Sequence, residues 1–276
     1  MDRIDDFEQA TRLERRGDHT WAADLRSDWG LWSPAGGYIS AFALRAAGEA
    51  TAFPRPASMT CHFLRMGKYA PAEIQVTSLK AGRRSELLKV DLVQDQDVLL
   101  TCHVWAVPDT APGLAHDDTR LELPAPQTIK TVQEQFPAAP VHPFFQRFEQ
   151  RPILGMPRPG DCAREAELTG YYRFAPCAST SDAYVDAGRA LILMDTFGWL
   201  AQYPAHPEDD PSPWIAPNID YHYRFHRTTQ HADWLHMRIR APIAEAGLMS
   251  TDGEIRDSDG RLLVSGSSQL MCLHRP

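Results

Sequence analysis

Two stretches of this chain are apolar on almost every side when wound as helices. One lies at about 36–50, with "YISAFALRAAGEA" at its heart; the other, at about 186–203, is built on "ALILMDTFGWLAQYPA". A helix with no polar face cannot rest on a surface, so other structure must wrap it. The segments after the two helices are alike. "SMTCHFLRMGK" and "NIDYHYRFHR" read as strands, and alternating strands continue to residue 107 in one case and to the end of the chain in the other. The hairpins "VQDQDVLLTCHVW" (93–105) and "IRDSDGRLLVSGSSQLM" (255–271) also correspond, each turning at an acidic D-x-D. These matches describe an internal duplication with a period of roughly 150 residues, too long for a solenoid.

Each half is therefore a long helix wrapped by about four antiparallel strands, the arrangement called a hotdog. The expected class is α+β, a double hotdog, with the halves side by side as an internal pseudo-dimer sharing a sheet. The N-terminal hotdog spans 1–108 and the C-terminal one 142–276. Residues 109–141, dense in Pro and acidic residues, read as a linker with no core of its own. The second half opens with strand-like "PFFQRFEQRPIL" and "REAELTGYYRF". The fused pair holds a complete site in one chain and leaves room for a homo-oligomer through sheet edges or faces.

Composition narrows the partners. A formal net charge of −8 over 276 residues opposes a nucleic-acid surface, which needs a basic face. The five cysteines are scattered without C-x-x-C, so neither a zinc site nor a disulfide framework is indicated. The polar N-terminus is no signal peptide, and no apolar run approaches the ~20 residues of a membrane span. A cytoplasmic protein with no membrane partner is the expectation.

"SPAGGYIS" (33–40) places Gly36 and Gly37 before the first helix. It lacks the G-x-G-x-x-G and G-K-[ST] patterns of nucleotide loops, so the glycines read as a close backbone approach at a buried helix.

The chain resembles the type II acyl-CoA thioesterases, a double-hotdog family, over nearly its whole length. The resemblance rests on "GGYISAFALRAA", "CHFLRMGK" and "SLKAGRRS" in the first half, and on "LMDTFGW", "NIDYHYRFHR" and "GRLLVSGSSQLM" in the second. Met66 replaces the family's Pro at the first strand end. The resemblance implies cofactor-free hydrolysis of acyl-CoA by a water held between an Asp, a Thr or Ser, and a Gln. Position by position these fall on Asp195, Asn218 and Gln269, with Asn218 departing from the hydroxyl pattern.

The residues themselves fit that chemistry. Asp195 follows the apolar run "LILM", where partial desolvation raises a carboxylate toward the range of a useful base. Its other reading is a helix residue facing solvent or paired with an Arg. Gln269 shares a strand face with Ser265 and Ser267, while Gly266, Ser268 and Leu270 share the other. Its amide both donates and accepts, as does that of Asn218. No G-x-S-x-G or Cys–His arrangement supplies a nucleophile, so an activated water is preferred. The N–H groups of Gly37 or Tyr38, at a helix N-terminus, are candidate donors to the thioester oxygen. His222 and His226 lie roughly 13 Å apart along a strand, too far to share a metal. Two other readings stay open: a non-catalytic acyl-CoA-binding protein, and a hotdog hydratase or dehydratase, for which His62 is the nearest candidate.

Overall fold

The computed structural model describes residues 6–137, 141–157, 160–207 and 213–274. In the first half the strands are β1 (Leu13–Gly17), β2 (Thr20–Asp24), β3 (Arg55–Phe63), β4 (Pro71–Ala81), β5 (Glu86–Gln94) and β6 (Asp97–Val107). The second half contains β7 (Phe148–Leu154), β8 (Glu167–Phe174), β9 (Trp214–Ile215), β10 (Asn218–Phe225), β11 (Leu235–Glu245), β12 (Leu248–Arg256), β13 (Leu262–Met271) and β14 (Leu273–His274). A long helix, Gly36–Ala50, interrupts the first set, and a second, Ala183–Leu200, interrupts the other.

Twelve of these strands form one antiparallel sheet in the order β1-β2-β4-β5-β6-β3-β10-β13-β12-β11-β8-β7. The halves meet where β3 pairs with β10, from Asp220 opposite His62 to Arg224 opposite Ser58. Both helices lie on the same face of this sheet. Alternation along the strands makes that face apolar: Ala72, Ile74 and Val76 of β4 and Leu88, Val90 and Leu92 of β5 are buried. Each half is thus a hotdog, and the two share one continuous sheet.

The second helix starts at 183, three residues before its sequence-based position. Asp182 caps it by accepting from Tyr184 N and Val185 N at 2.8 and 3.0 Å. A buried ion pair ties its first turns to the loop after β10. Arg189 Nη2 lies 2.7 Å from Asp186 Oδ2 and also donates to Thr229 O at 2.9 Å. With hydrogen bonds around both charges, this pair avoids the cost of an uncompensated buried ion.

Two features lie outside the sequence-based outline. The hairpin β1–β2 precedes the first helix, as β7–β8 precedes the second. Its outermost strand is charged and largely exposed, so it carries no apolar alternation to reveal it. The stretch after β6 is also anchored. Tyr171 Oη donates to Pro124 O, and Arg256 Nη1 to Thr119 O, at 2.8 and 2.6 Å. Leu121 N reaches Gly260 O at 3.2 Å, so this segment lies against the outer face of the second hotdog. Gly260 has φ +78°, and a Cβ there would sit 1.8 Å from Leu121 O, so the turn admits no side chain.

The long helices pack antiparallel, and their separation is set by residues without side chains. A Cβ on Gly37 would fall 2.5 Å from Leu191 O and 2.8 Å from Ile192 Cα. Near the middle, Gly188 faces Ala41; at the far end, Gly48 lies under the ring of Tyr184. Gly37→Ala should therefore force the helices apart and cost about 1–3 kcal/mol, the usual scale for overpacking. Denaturant unfolding against Gly113→Ala, where a Cβ meets nothing within 4 Å, provides the comparison. Equal stability of the two variants would show that the helix contact is not limited by Gly37.

Candidate active site

The antiparallel packing carries the start of the first helix to the later turns of the second. Asp195 projects from the second helix into that junction and is only 8% exposed. Its Oδ2 accepts from Gly37 N at 2.6 Å, across the boundary between the two halves. The carboxylate also faces the positive end of the first helix, where unsatisfied N–H groups favour negative charge. Gly36 gives it room: a Cβ there would lie 2.5 Å from Asp195 Oδ1 and 3.1 Å from the ring of Phe63.

Asn218 closes the other side. Its Nδ2 donates to Asp195 Oδ1 at 2.7 Å. This contact depends on an irregularity in β10. Asn218 pairs with Leu270, yet Asp220 pairs with Gln269, so Ile219 is an extra residue in the ladder. Without that bulge, alternation would point Asn218 the same way as Asp220 and His222, away from the helices. Asn218 Oδ1 is buried and has no protein partner among the described residues.

Burial raises the Asp195 pKa to about 6, and the hydrogen bonds from Gly37 and Asn218 only partly oppose that rise. The carboxylate is thus ionised near neutral pH yet basic enough to accept a proton from water.

Gln269 does not join this group, contrary to the expectation that Asp195, Asn218 and Gln269 converge. Val264, Ser268 and Leu270 turn toward the helices, and the intervening Gln269 points to the opposite face of the sheet. There Ser250 Oγ donates to its Oε1 at 2.8 Å. It borders an open groove of about 480 Å³ lined also by His62, Asp220 and His222. The alternation itself was readable, and the apolar neighbours of Ser268 mark which side is inward. On that inward side, Ser268 Oγ lies 2.6 Å from Thr251 Oγ1.

The backbone donors expected at the helix start are both occupied. Gly37 N–H serves Asp195, and Tyr38 N–H bonds to Ala35 O at 3.0 Å. The Tyr38 side chain turns into the core, stacks on Trp29 and donates to Ala10 O at 2.8 Å. Of the strand histidines, His222 Nδ1 bonds to Thr60 Oγ1 and His226 Nε2 to Ser265 Oγ, at 2.7 and 2.8 Å. No helix among the described residues is long and apolar enough to cross a membrane.

Comparison with known proteins agrees with this architecture. A conserved hot dog fold protein of Alicyclobacillus acidocaldarius is similar at 19% identity and TM-score 0.82, covering 98% of each chain. The acyl-CoA thioesterase II TesB2 of Mycobacterium marinum has 18% identity and TM-score 0.78, again over 98% of each. A tesB protein of Mycobacterium avium subs paratuberculosis has 20% identity and TM-score 0.78, covering 97% of this chain and 98% of that one. No curated protein sequence matches the chain. The acyl-CoA thioesterase N-terminal domain matches residues 25–107, and the acyl-CoA thioesterase C-terminal domain matches residues 108–272. With both halves of the chain accounted for in order, it belongs to the acyl-CoA thioesterase family.

Proposed function

We propose that this chain hydrolyses acyl-CoA to the free acid and CoA, with Asp195 as general base and Asn218 as its positioning partner. The observation that carries this reading is a buried carboxylate at the junction of the halves, held by Gly37 N–H and Asn218 Nδ2, with its pKa raised to about 6.

Asp195 takes a proton from a water as the water oxygen bonds to the thioester carbonyl carbon. Collapse of the tetrahedral intermediate breaks the C–S bond, and the proton passes to the departing thiolate. Asn218 has a second role to offer. With Nδ2 engaged by Asp195, its unpartnered Oδ1 can accept a hydrogen bond from the same water, doing the work of the family's hydroxyl. Gly37 N–H fixes the base, not the substrate oxygen. The dehydratase alternative gains nothing from His62, which is exposed on the far side of the sheet.

Release of CoA thiol from a series of acyl-CoA chain lengths tests the activity directly. Asp195→Asn should reduce kcat by roughly 10²–10⁴, the range for loss of general-base help. If it hydrolyses every substrate at the parent rate, Asp195 is not the base. If the parent binds acyl-CoA but releases no thiol, the binding-protein reading replaces hydrolysis.

The same carboxyl should be visible in pH profiles. Activity should rise with pH through about 6 as Asp195 ionises, then level off. Stability should move the other way. Because the folded pKa exceeds the unfolded value, this group's contribution is complete below about pH 4 and is lost as pH rises through the folded value. Asp195→Asn should remove that loss, gaining roughly 1–3 kcal/mol relative to the parent between pH 5 and pH 8. Denaturant titrations at the two pH values measure it, and parallel curves for parent and variant would rule it out.

Asn218→Thr should preserve or raise kcat, since a hydroxyl there restores the family's pattern. Asn218→Ala should lower kcat by roughly tenfold or more, because it strips Asp195 of a hydrogen bond and the water of an acceptor. Steady-state kinetics of the two variants compare these outcomes; equal rates would dismiss a role for residue 218.

A further inference from the structure

The surroundings of Asp195 also determine how a substrate reaches it. Of the carboxylate's close neighbours, Gly37 is buried, whereas Gly36, Asn218 and Phe63 are half-exposed. A thioester therefore approaches the base between these three residues. Gly36 has no side chain, and Asn218 is the polar side, its amide directed at Asp195. Phe63 is the remaining side chain, and the proposed chemistry does not use it.

Phe63 is the last residue of β3 and pairs with Leu100 of β6. Alternation with the buried Met59 and Cys61 turns it toward the helices. Its ring and the carboxylate meet over one glycine. A Cβ on Gly36 would lie 3.1 Å from both Cε1 and Cζ of the ring and 2.5 Å from Asp195 Oδ1. The ring also packs edge to face on Tyr221, with centroids 5.6 Å apart and an interplanar angle of 63°. Tyr221 is itself buried, so the Phe63 ring rests on a rigid support. Beyond it the strand ends, with Leu64 N and Arg65 N both donating to Leu99 O at 2.8 and 3.1 Å. Leu64 and Met66 are 56% and 61% exposed, so apolar side chains continue from the strand end into solvent.

We propose that Phe63 is a specificity-determining residue, its ring forming the wall against which the acyl carbons next to the thioester carbonyl pack. Attack by a water that Asp195 deprotonates requires the carbonyl carbon to lie one water away from the carboxylate. That requirement brings the carbonyl's two substituents to the ring beside the base. The alkyl carbon gains from burial against an apolar wall. The thiol arm brings an amide whose N–H and C=O the ring cannot satisfy. A wall held in place accepts a straight acyl chain and rejects a branch at the carbon next to the carbonyl. This inference rests on the thioesterase reading of Asp195.

The test compares kcat/KM for hexanoyl-CoA and 2-methylhexanoyl-CoA in the parent and in Phe63 variants. The parent should favour the straight chain. Phe63→Ala should move the ratio toward the branched ester by roughly tenfold or more, the scale on which a pocket discriminates one carbon. Phe63→Trp should move it the other way. Lost packing alone lowers both rates together and leaves the ratio unmoved, so the ratio reports contact with the acyl group. The N-acetylcysteamine thioesters of the same two acids should show the same shift. A shift confined to the CoA esters would place the ring against the thiol arm and overturn the proposal. Unchanged ratios in both variants, beside an inactive Asp195→Asn, overturn the wall and leave the base standing. A parent that releases no thiol from either ester removes the thioesterase assignment as well. Should Phe63→Ala fail to fold, Phe63→Leu takes its place, and an unshifted ratio there is equally decisive against the proposal.

Discussion

The bond between Gly37 N–H and the Asp195 carboxylate depends on how closely two helices approach. A side chain at position 37 would meet the backbone of Leu191 and Ile192, so the separation that permits the 2.6 Å contact also excludes every larger residue. The shared sheet sustains this arrangement from the other side. Pairing of β3 with β10 fixes the halves relative to one another, and the helices come to rest against a single apolar face. Packing and chemistry are inseparable at this point. The interaction that seats the helices also immobilises an oxygen of the carboxylate, and the apolar surroundings that stabilise the fold raise its pKa.

Much of this was legible in the amino-acid sequence, and for identifiable reasons. Helices apolar all round announce burial, and repeated strand patterns and hairpin turns announce duplication. The 93–105 hairpin turns where Asp95 and Gln96 both adopt positive φ, as a two-residue turn requires. Asp195 stood out because a carboxylate in an apolar helix demands an explanation. Less visible was the hairpin β1–β2, whose outer strand is charged and solvated. The anchoring of the segment after β6 was hidden too, because it depends on side chains such as Arg256 and Tyr171, far away in the chain.

The site residues divide on the same principle. Asn218 reaches Asp195 because Ile219 is bulged, and a bulge is a property of strand pairing that no local pattern reveals. Gln269 illustrates the period of two in a strand. Its chemistry suited the task, but the neighbouring apolar residues claim the inward side, and a one-residue difference is a difference of face. The hydroxyl of Ser268 looked less suited than the amide beside it, yet it occupies the buried surface.

The approximate two-fold axis that relates Ala41 to Gly188 also relates Gly37 to Tyr184 and Asp195 to Gly48. At this opposite end of the helix pair Gly48 stands where Asp195 would, and the aromatic ring of Tyr184 rests against it, with its hydroxyl donating to Phe53 O at 3.0 Å. Two identical hotdog chains would be bound by symmetry to present the same chemistry twice. Fusion lifts that obligation, and each end of the helix pair is free to follow its own evolutionary course. In this chain one end buries a carboxylate between the helices and the other has become a filled aromatic joint. The first half therefore enters the buried junction through its backbone, at Gly37, while the second half supplies the polar side chains, Asp195 and Asn218.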